Sequence, residues 1–407
     1  MPYKWRIYSS MDEVDRQAWE AVHASSGDLF SDPRFISAVE HSMVKDTQCW
    51  PVVVEDDTGR PAAITCFSLH QVDGALLIRA WLSAVVQFVR RVWPGYFRFR
   101  VLFCGLPVSA GQKTLCIAPH AEPGQVIEAL DSAISELAGR LRVGVIVWKE
   151  FGPADCQWLA SLERRGYVRA DSLPMCYFDA RFGDFDAYQK ALKWNGRHNI
   201  RRSQRKFRKA RLRIARMHGD EGFDRLYTDE VHRLYEAIHD HAQFKLERLP
   251  AEFFREIARQ FGRDARFSVA YQGERVVAFL CSLADKQQFC LLFMGMDYAV
   301  NRECDLYFNL MYDGLDCGLR SGAARISFGQ NSYTFKARLG CREEPRVFFI
   351  RGRRLLGLAL RMCAHVLFPP VGLSTPPDVF RTAEPLLQPP AQPAMKEEQP
   401  SSHQDLP

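Results

Sequence analysis

The order of secondary-structure signals occurs twice in this chain, and that repetition restricts the fold more than any single motif does. In the first half, Trp50 to Gln71 reads as two strands around the turn "EDDTGRP". "FRVLFCGLPV" reads as a third strand, followed by the loop "SAGQKTLCIAPHAEPG". The next segment, "QVIEALDSAISELAGRL", sets Val126, Ile127, Leu130, Ile134 and Leu137 at helical spacing. A buried strand "VGVIVWKEF", a helix "DCQWLASLERRGY" ending near Gly166 and a strand "SLPMCYFDA" complete the unit. The second half begins with a hairpin, "RFSVAYQGERVVAFLCSLAD", that turns at Gly273. A strand "QFCLLFMGMDY" leads to a helix "DLYFNLMYDGLDCGLRSG", with Leu306, Leu310, Met311 and Leu315 on one side and a stop at Gly322. Then come a strand "ARISFG", a short helix "SYTFKARLG" stopped by Gly340, and a strand "PRVFFIRG". The endings "LERRGY" and "KARLGC" fall in equivalent places. The pattern predicts a mixed α/β fold made by duplicating a unit of about 150 to 180 residues. The expected domains are 1–180 and 181–368.

The remainder, 369–407, is rich in Pro, Gln, Ser and charge. It has too little apolar surface to offset the entropy of ordering, so it reads as a disordered tail.

The formal charge is +6, but between Lys190 and Arg216 there are twelve Lys and Arg and no acid. The rest of the chain therefore carries a net −6, and the basicity is local. A local patch points to one anionic contact rather than to a surface that coats nucleic acid throughout. Within it Arg197, Arg201, Arg205, Lys209 and Arg213 fall four apart, which on a helix makes one stripe. Few aromatic or amide side chains accompany it, so base-specific readout and sequence-specific DNA binding are not expected. A solvated face, a phosphate contact and a membrane surface stay open as readings.

Twelve cysteines are scattered among apolar neighbours, as in "ITCFSL" and "AFLCSL", with no CxxC pair. They read as core residues of a protein in a reducing compartment. "MPYKWRIYSSMDEVD" has no apolar h-region, and the expected location is the cytoplasm. Two stretches approach membrane character. Ala75–Trp93 contains Arg79, Arg90 and Arg91, and Leu355–Phe368 contains Arg361 and His365. Both are too short or too charged to span a bilayer; the second fits an interfacial helix or an ordinary core helix with one wet stripe.

Three segments of the second half resemble the GNAT superfamily of N-acetyltransferases, in its two-domain branch of BioF2-like and Fem-like acyltransferases. They are "GRHNIRRSQRKFRKA", "LYEAIHDHAQFKLERLPAEFFREIA" and the run from "LLFMGMDYAVNRECDLYF" to "FKARLGC". The resemblance covers Phe182 to Gly352; the first half shares only the element order and would be a degenerate copy. It implies two tandem GNAT-like domains and an N-acyltransferase that takes acyl-CoA as donor and an amine of a small-molecule, lipid or envelope precursor as acceptor. Fem-type relatives imply an alternative donor, aminoacyl-tRNA. A non-enzymatic, membrane-docking protein is the third reading.

In such a fold the donor arm lies between two splayed strands, and its pyrophosphate meets the N-terminus of the following helix. Here those would be Phe289–Met296 and a helix starting at Asp305 or Leu306. Met294, Met296, Arg302, Leu306, Asn309, Arg201 and Arg205 are then candidates for donor binding. The family's loop, R/Q-x-x-G-x-G, is replaced by the glycine-free "NRECDL", in which Arg302 supplies charge. Amide formation needs a base, an oxyanion donor and an acid for the leaving group. Gln330, Tyr333, Lys336 and Asp297 are the candidates for catalysis, and His241, Arg338 and Tyr307 for substrate contact. No metal is expected, although His232, Glu236, His239 and Asp240 share a helix face. No Gly-x-Ser-x-Gly or Walker-type loop supports a hydrolase or kinase.

Overall fold

The computed structural model describes residues 2–26, 28–44, 47–73, 88–91, 93, 98–108, 110–241, 248–285 and 287–381. Most of the apolar stretch Ala75–Trp93, the segment 242–247, the side chain of His365 and the tail beyond Arg381 lie outside these residues.

The first half contributes strands β1 (Lys4–Ile7), β2 (Thr47–Glu55), β3 (Pro61–Asp73), β4 (Arg98–Cys104), β5 (Cys116–Ile117), β6 (Val145–Phe151) and β7 (Val168–Asp179). Its helices are α1 (Arg16–Ser26), α2 (Pro33–Ser42), α3 (Pro123–Leu141) and α4 (Cys156–Arg164). Two helices, α5 (Phe185–Ala191) and the basic α6 (Trp194–Lys209), open the second half. Then follow β8 (Leu212–His218), α7 (Phe223–Leu226), α8 (Asp229–His241), α9 (Ala251–Phe261), β9 (Ala265–Gln272), β10 (Arg275–Ala284) and β11 (Gln288–Met296). The chain continues through α10 (Tyr298–Cys304), α11 (Leu306–Arg320), β12 (Arg325–Gly329), α12 (Tyr333–Leu339), β13 (Arg342–Gly352) and α13 (Leu355–Leu367).

Among the described residues all the strands form one mixed sheet in the order β1-β2-β3-β4-β6-β13-β7-β12-β11-β10-β9-β8, with β5 on β3. That order reads the same from both ends when the halves are exchanged. Each half lends its last strand to the other: β7 pairs with β12, and β13 pairs with β6. The two parallel pairs, β4 with β6 and β11 with β12, occupy matching places. The mixed α/β fold and the duplicated element order expected from the sequence are both present.

Helix α3 packs its expected stripe, Val126, Ile127, Leu130, Ile134 and Leu137, on the first-half sheet beside Leu102, Ile146 and Trp148. In the second half α11 buries Leu306, Leu310 and Leu315 against Leu280, Phe289 and Ile326. A further core crosses the halves. Phe35 of α2 lies edge-on to Phe253 and Phe261 of α9, with ring centroids 6.2 and 6.5 Å apart. Phe35 is fully buried, so truncation to Ala would cost roughly 3–5 kcal/mol.

Several expectations are adjusted. "DYAVNREC" forms a helix, α10, capped by Asp297, rather than an open loop. The basic stripe ends at Lys209, because Arg211 has a φ of 55° and breaks the helix. Arg213 belongs to β8, where it lies over the Tyr271 ring and pairs with Glu274. The first part of the tail is ordered against the second half. Val379 accepts from the Lys193 amide, the Arg381 amide donates to Ala191, and the Phe380 ring covers Gly340. All twelve cysteines are free, and ten of them are buried.

Candidate active site

The pairing of β11 with β12 stops after Cys290 and Ser327, while β11 runs on to Met296. Beyond that point the two strands part and leave a cavity of about 360 Å³. Leu280, Leu291, Phe293, Met294, Met296, Met311 and Phe328 make it largely apolar; Tyr298, Tyr307, Gln330, Ser332 and Lys336 supply polar groups. Helix α8 forms a side of it through Ile238. That helix can lie close because residue 295 is glycine: a Cβ there would sit 2.6 Å from the Tyr235 amide nitrogen. At the end of β12, Gly329, Asn331 and Ser332 all have positive φ, of 69, 68 and 53°. The two non-glycine residues store strain of about 1–3 kcal/mol each where the chain turns into α12.

Lys336 on α12 is only 3% exposed. Its Nζ donates to the Gly329 and Gln330 carbonyl oxygens at 3.1 and 2.8 Å. Burial pulls its pKa down to about 8, against the smaller opposing influence of Cys176 and Cys341. An ammonium has three donors, so one stays available to whatever fills the cavity. Burial raises the Tyr307 hydroxyl, with the Ser332 hydroxyl opposing, so this tyrosine keeps its proton at neutral pH. Gln330 donates through Nε2 to the Leu173 carbonyl at 2.6 Å and to Glu150 Oε2 at 3.4 Å.

Glu150, the acceptor behind Gln330, is not among the candidates drawn from the sequence. It is the last residue but one of the first-half strand β6, with a φ of 68°, and Ser172 Oγ also donates to it at 3.3 Å. Burial raises its pKa, while Lys149 and Arg346 oppose. Arg346, also buried, donates to the Gly111 carbonyl at 3.0 Å and to the Tyr177 hydroxyl at 2.6 Å. The first half therefore brings a polar cluster up to Gln330. Its one signal in the sequence was an acid inside the apolar strand "VGVIVWKEF".

The structure gathers Met294, Met296, Tyr307, Gln330 and Lys336 around the cavity and sets the other candidates elsewhere. The Tyr333 hydroxyl donates to the Pro174 carbonyl at 3.1 Å, and burial raises its pKa to about 12. Asp297 caps α10 and pairs with Arg275 at 2.9 Å. His241 stacks on Tyr298, with centroids 4.2 Å apart, and so reaches the cavity rim through that ring. Leu306 is core. Asn309 Nδ2 donates to Ser203 Oγ at 3.1 Å and pins α6 to α11. The first turn of α11, expected to receive a pyrophosphate, is occupied: the Tyr307 amide donates to Asn301 Oδ1 at 2.8 Å, and Asp305 precedes it, paired with Lys206 at 3.0 Å. Arg302 is exposed on α10. His232 and Glu236 lie 3.9 Å apart, and among the described residues no group of three metal-ligating side chains forms.

A second cavity, of about 420 Å³, opens on the other side of the α11 N-terminus. Lys193, Asn199 and Arg202 of the α6 region, Arg338 of α12, and the stacked rings of Phe308 and Phe335 line it. Next to it Arg201 and Arg205 stand exposed on α6. Desolvation and then the charges of Arg381 and Arg201 lower the Arg197 pKa.

Comparison with known proteins bears on the family and the fold. A family model for FemAB-like proteins, described as peptidoglycan biosynthesis/recognition, matches residues 10–340. A Mycobacterium tuberculosis H37Rv protein provisionally named 8-amino-7-oxononanoate synthase 2 is 24% identical over 328 residues. The match covers 78% of this chain but only 41% of that relative, so the chain spans about two fifths of its length. Among solved structures, FemX superposes with a TM-score of 0.53 at 10% identity, covering 86% of this chain and 98% of FemX. The C-terminal domain of a protein provisionally named lysylphosphatidylglycerol synthetase, from Agrobacterium fabrum, superposes with a TM-score of 0.51 at 12% identity. That overlap covers 89% of this chain and all of the domain. At such identities the likeness is one of fold.

Proposed function

This chain belongs to the FemAB-like family, the Fem-type branch with a GNAT-like fold, and from that membership we propose that it is an N-acyltransferase acting on an amine of a cell-envelope, lipid or other small-molecule precursor. The observation that carries the reading is the cavity where β11 and β12 part, with Lys336 buried in its wall. In the proposed reaction the amine nitrogen attacks the donor carbonyl carbon. A C–N bond forms, the bond to the leaving oxygen or sulfur breaks, and a proton lost by the amine is balanced by one gained by the leaving atom. The remaining N–H of Lys336 would hold the developing oxyanion, a contribution of about 10²–10³ in rate. The protonated Tyr307 hydroxyl is the donor assigned to the leaving atom. Glu150, beside Gln330, is assigned to the acceptor side. The free cysteines suit a reducing, cytoplasmic setting.

For the donor, the charge pattern favours aminoacyl-tRNA. Arg197, Arg201, Arg205 and Lys209 run along α6 for about 18 Å, a row suited to successive phosphates. Coenzyme A presents its phosphates at one end, and the first turn of α11 already holds Asn301 and Asp305. Acyl-CoA is the second reading, favoured by the apolar slot and by the stacked Phe308 and Phe335, whose centroids are 4.7 Å apart. The test is thermal stability with acyl-CoA and with charged tRNA at low and high salt, followed by turnover with a panel of amines. A ligand that binds only the folded state raises the melting temperature. Stabilisation by charged tRNA with steep salt dependence is expected. Stabilisation by an acyl-CoA that survives salt would select the second reading, and no response to either donor would overturn the transferase assignment.

A further inference from the structure

Two segments far apart in sequence converge on the face of the first-half sheet turned away from α3. Val72, Val101, Val145, Val147 and Ile350 alternate onto that face, and Leu360, Leu367 and Phe368 at the C-terminal helix α13 pack on them. Phe99 joins the same cluster, opposite Val72 in the β3–β4 ladder. Asp73, the next residue, holds Arg90 in a two-pronged ion pair at 2.6 and 2.7 Å. This brings the short segment around Phe88 and Trp93 to the edge of the cluster.

What these segments leave in solvent is unusual. Helix α13 buries Leu360 but leaves Leu356, Leu358 and Met362 exposed by 46, 56 and 76%. Phe88 and Trp93 are exposed by 67 and 66%. Around them Arg91, Arg353, Arg354 and Arg361 are all exposed. The sequence has no Asp or Glu between Asp73 and Glu122, nor between Glu344 and Asp378. Large apolar side chains kept in water are unfavourable, and a patch of them with a charged rim marks an interaction surface. The occupant follows from the rim. A protein partner of ordinary composition would meet many arginines without acids to pair with its own cations. A lipid bilayer with anionic headgroups offers phosphates to the arginines and a hydrocarbon boundary to the Leu, Met, Phe and Trp side chains. No helix among the described residues is long and apolar enough to cross a membrane.

We propose that this face, made by α13 with Phe88 and Trp93, docks the protein peripherally on an anionic lipid bilayer. The basic helix α6 is a separate surface: its arginines have one large exposed apolar neighbour on the helix, Trp194, which stacks on His198.

The test is cosedimentation of the full chain with vesicles of phosphatidylcholine and with vesicles of equimolar phosphatidylcholine and phosphatidylglycerol, without donor or acceptor. Binding is then read apart from the transfer reaction and can fail or succeed independently of it. The protein is expected in the pellet with the mixed vesicles and at least tenfold less with phosphatidylcholine alone. The double variant Leu358→Glu/Met362→Glu is expected to reduce binding to the mixed vesicles about tenfold or more. Both positions are exposed, and a thermal melt checks the fold; Phe88→Ser/Trp93→Ser gives the same readout if the first variant does not fold. The proposal is overturned if the protein stays in solution with both vesicle types, if it binds them equally, or if the folded variants bind as the parent does. A dimer that these substitutions dissociate, with no vesicle binding, would also overturn it and assign the face to a second copy.

Discussion

The chain builds the same parallel strand pair twice, β4 with β6 and β11 with β12, and treats the space beyond each pair differently. In the first half, Val101–Cys104 pair with Val145–Trp148. Just past them the buried Lys149 donates to the Pro107 carbonyl at 3.0 Å, and Leu106 and Val108 are fully buried. The chain's own loop packs that end. In the second half the matching space is open, and the buried lysine, Lys336, comes from the following helix and faces the cavity. Burying a charge without full compensation is costly. A half that fills its gap uses its lysine to tie down a loop, whereas a half that leaves the gap open keeps a lysine with a lowered pKa and a spare donor. The second arrangement is the one suited to chemistry.

Substitutions can break this contrast, and the largest effect is expected at the open pair. Lys336→Met should lower turnover about 10²–10³-fold with the cooperative melt retained. Linkage gives the same variant a stability signature. The folded Lys336 releases its proton near pH 8 while the unfolded one holds it to 10.5. The unfolded state therefore binds more protons in that window, so the parent gains stability on the variant as pH rises through it, by about 3 kcal/mol in all. Urea midpoints at several pH values measure this, and parallel curves would contradict it. Met294→Trp should close the open gap as the first half's gap is closed. The expected result is a tenfold or greater loss in kcat/KM for the donor with little change in stability, since Met294 is half-buried. In the filled pair, Lys149→Met should do the opposite. The Pro107 carbonyl loses a buried partner at a cost of roughly 1–3 kcal/mol, read from the urea midpoint, and kcat should fall far less than in Lys336→Met. The smallest effect is in the parent's own pH profile: kcat should fall by about half near pH 8 as Lys336 loses its proton. A profile flat to pH 10 would remove Lys336 from the chemistry.

Much of the fold was legible because it was written in local periodicity. The stripe of α3, the Gly340 stop with its φ of 97°, and the two hairpins were visible as patterns. Lys336 was a candidate on the short helix that this glycine stops. Its position there could not tell that Tyr333, one turn earlier, would turn its hydroxyl to Pro174 and that Tyr307 would line the cavity. The segment "DYAVNREC" looked like a loop, although Asp297 was a serviceable cap for the helix it forms. The basic stripe was carried one step too far because nothing in "KARLR" announces the left-handed Arg211. Glu150 went unnoticed because its meeting with Gln330 joins residues 180 positions apart.

By itself the sequence determined the mixed α/β class, the repetition of the unit and the acid-free basic run between Lys190 and Arg216, since these depend on side-chain spacing and composition along a short window. The tertiary structure alone decided that β7 and β13 would change places between the halves, that one gap would stay open, and that a lysine would be buried at its edge. Strand pairing and the burial of a charge are set by whichever distant segments pack nearby, and no local pattern encodes that choice.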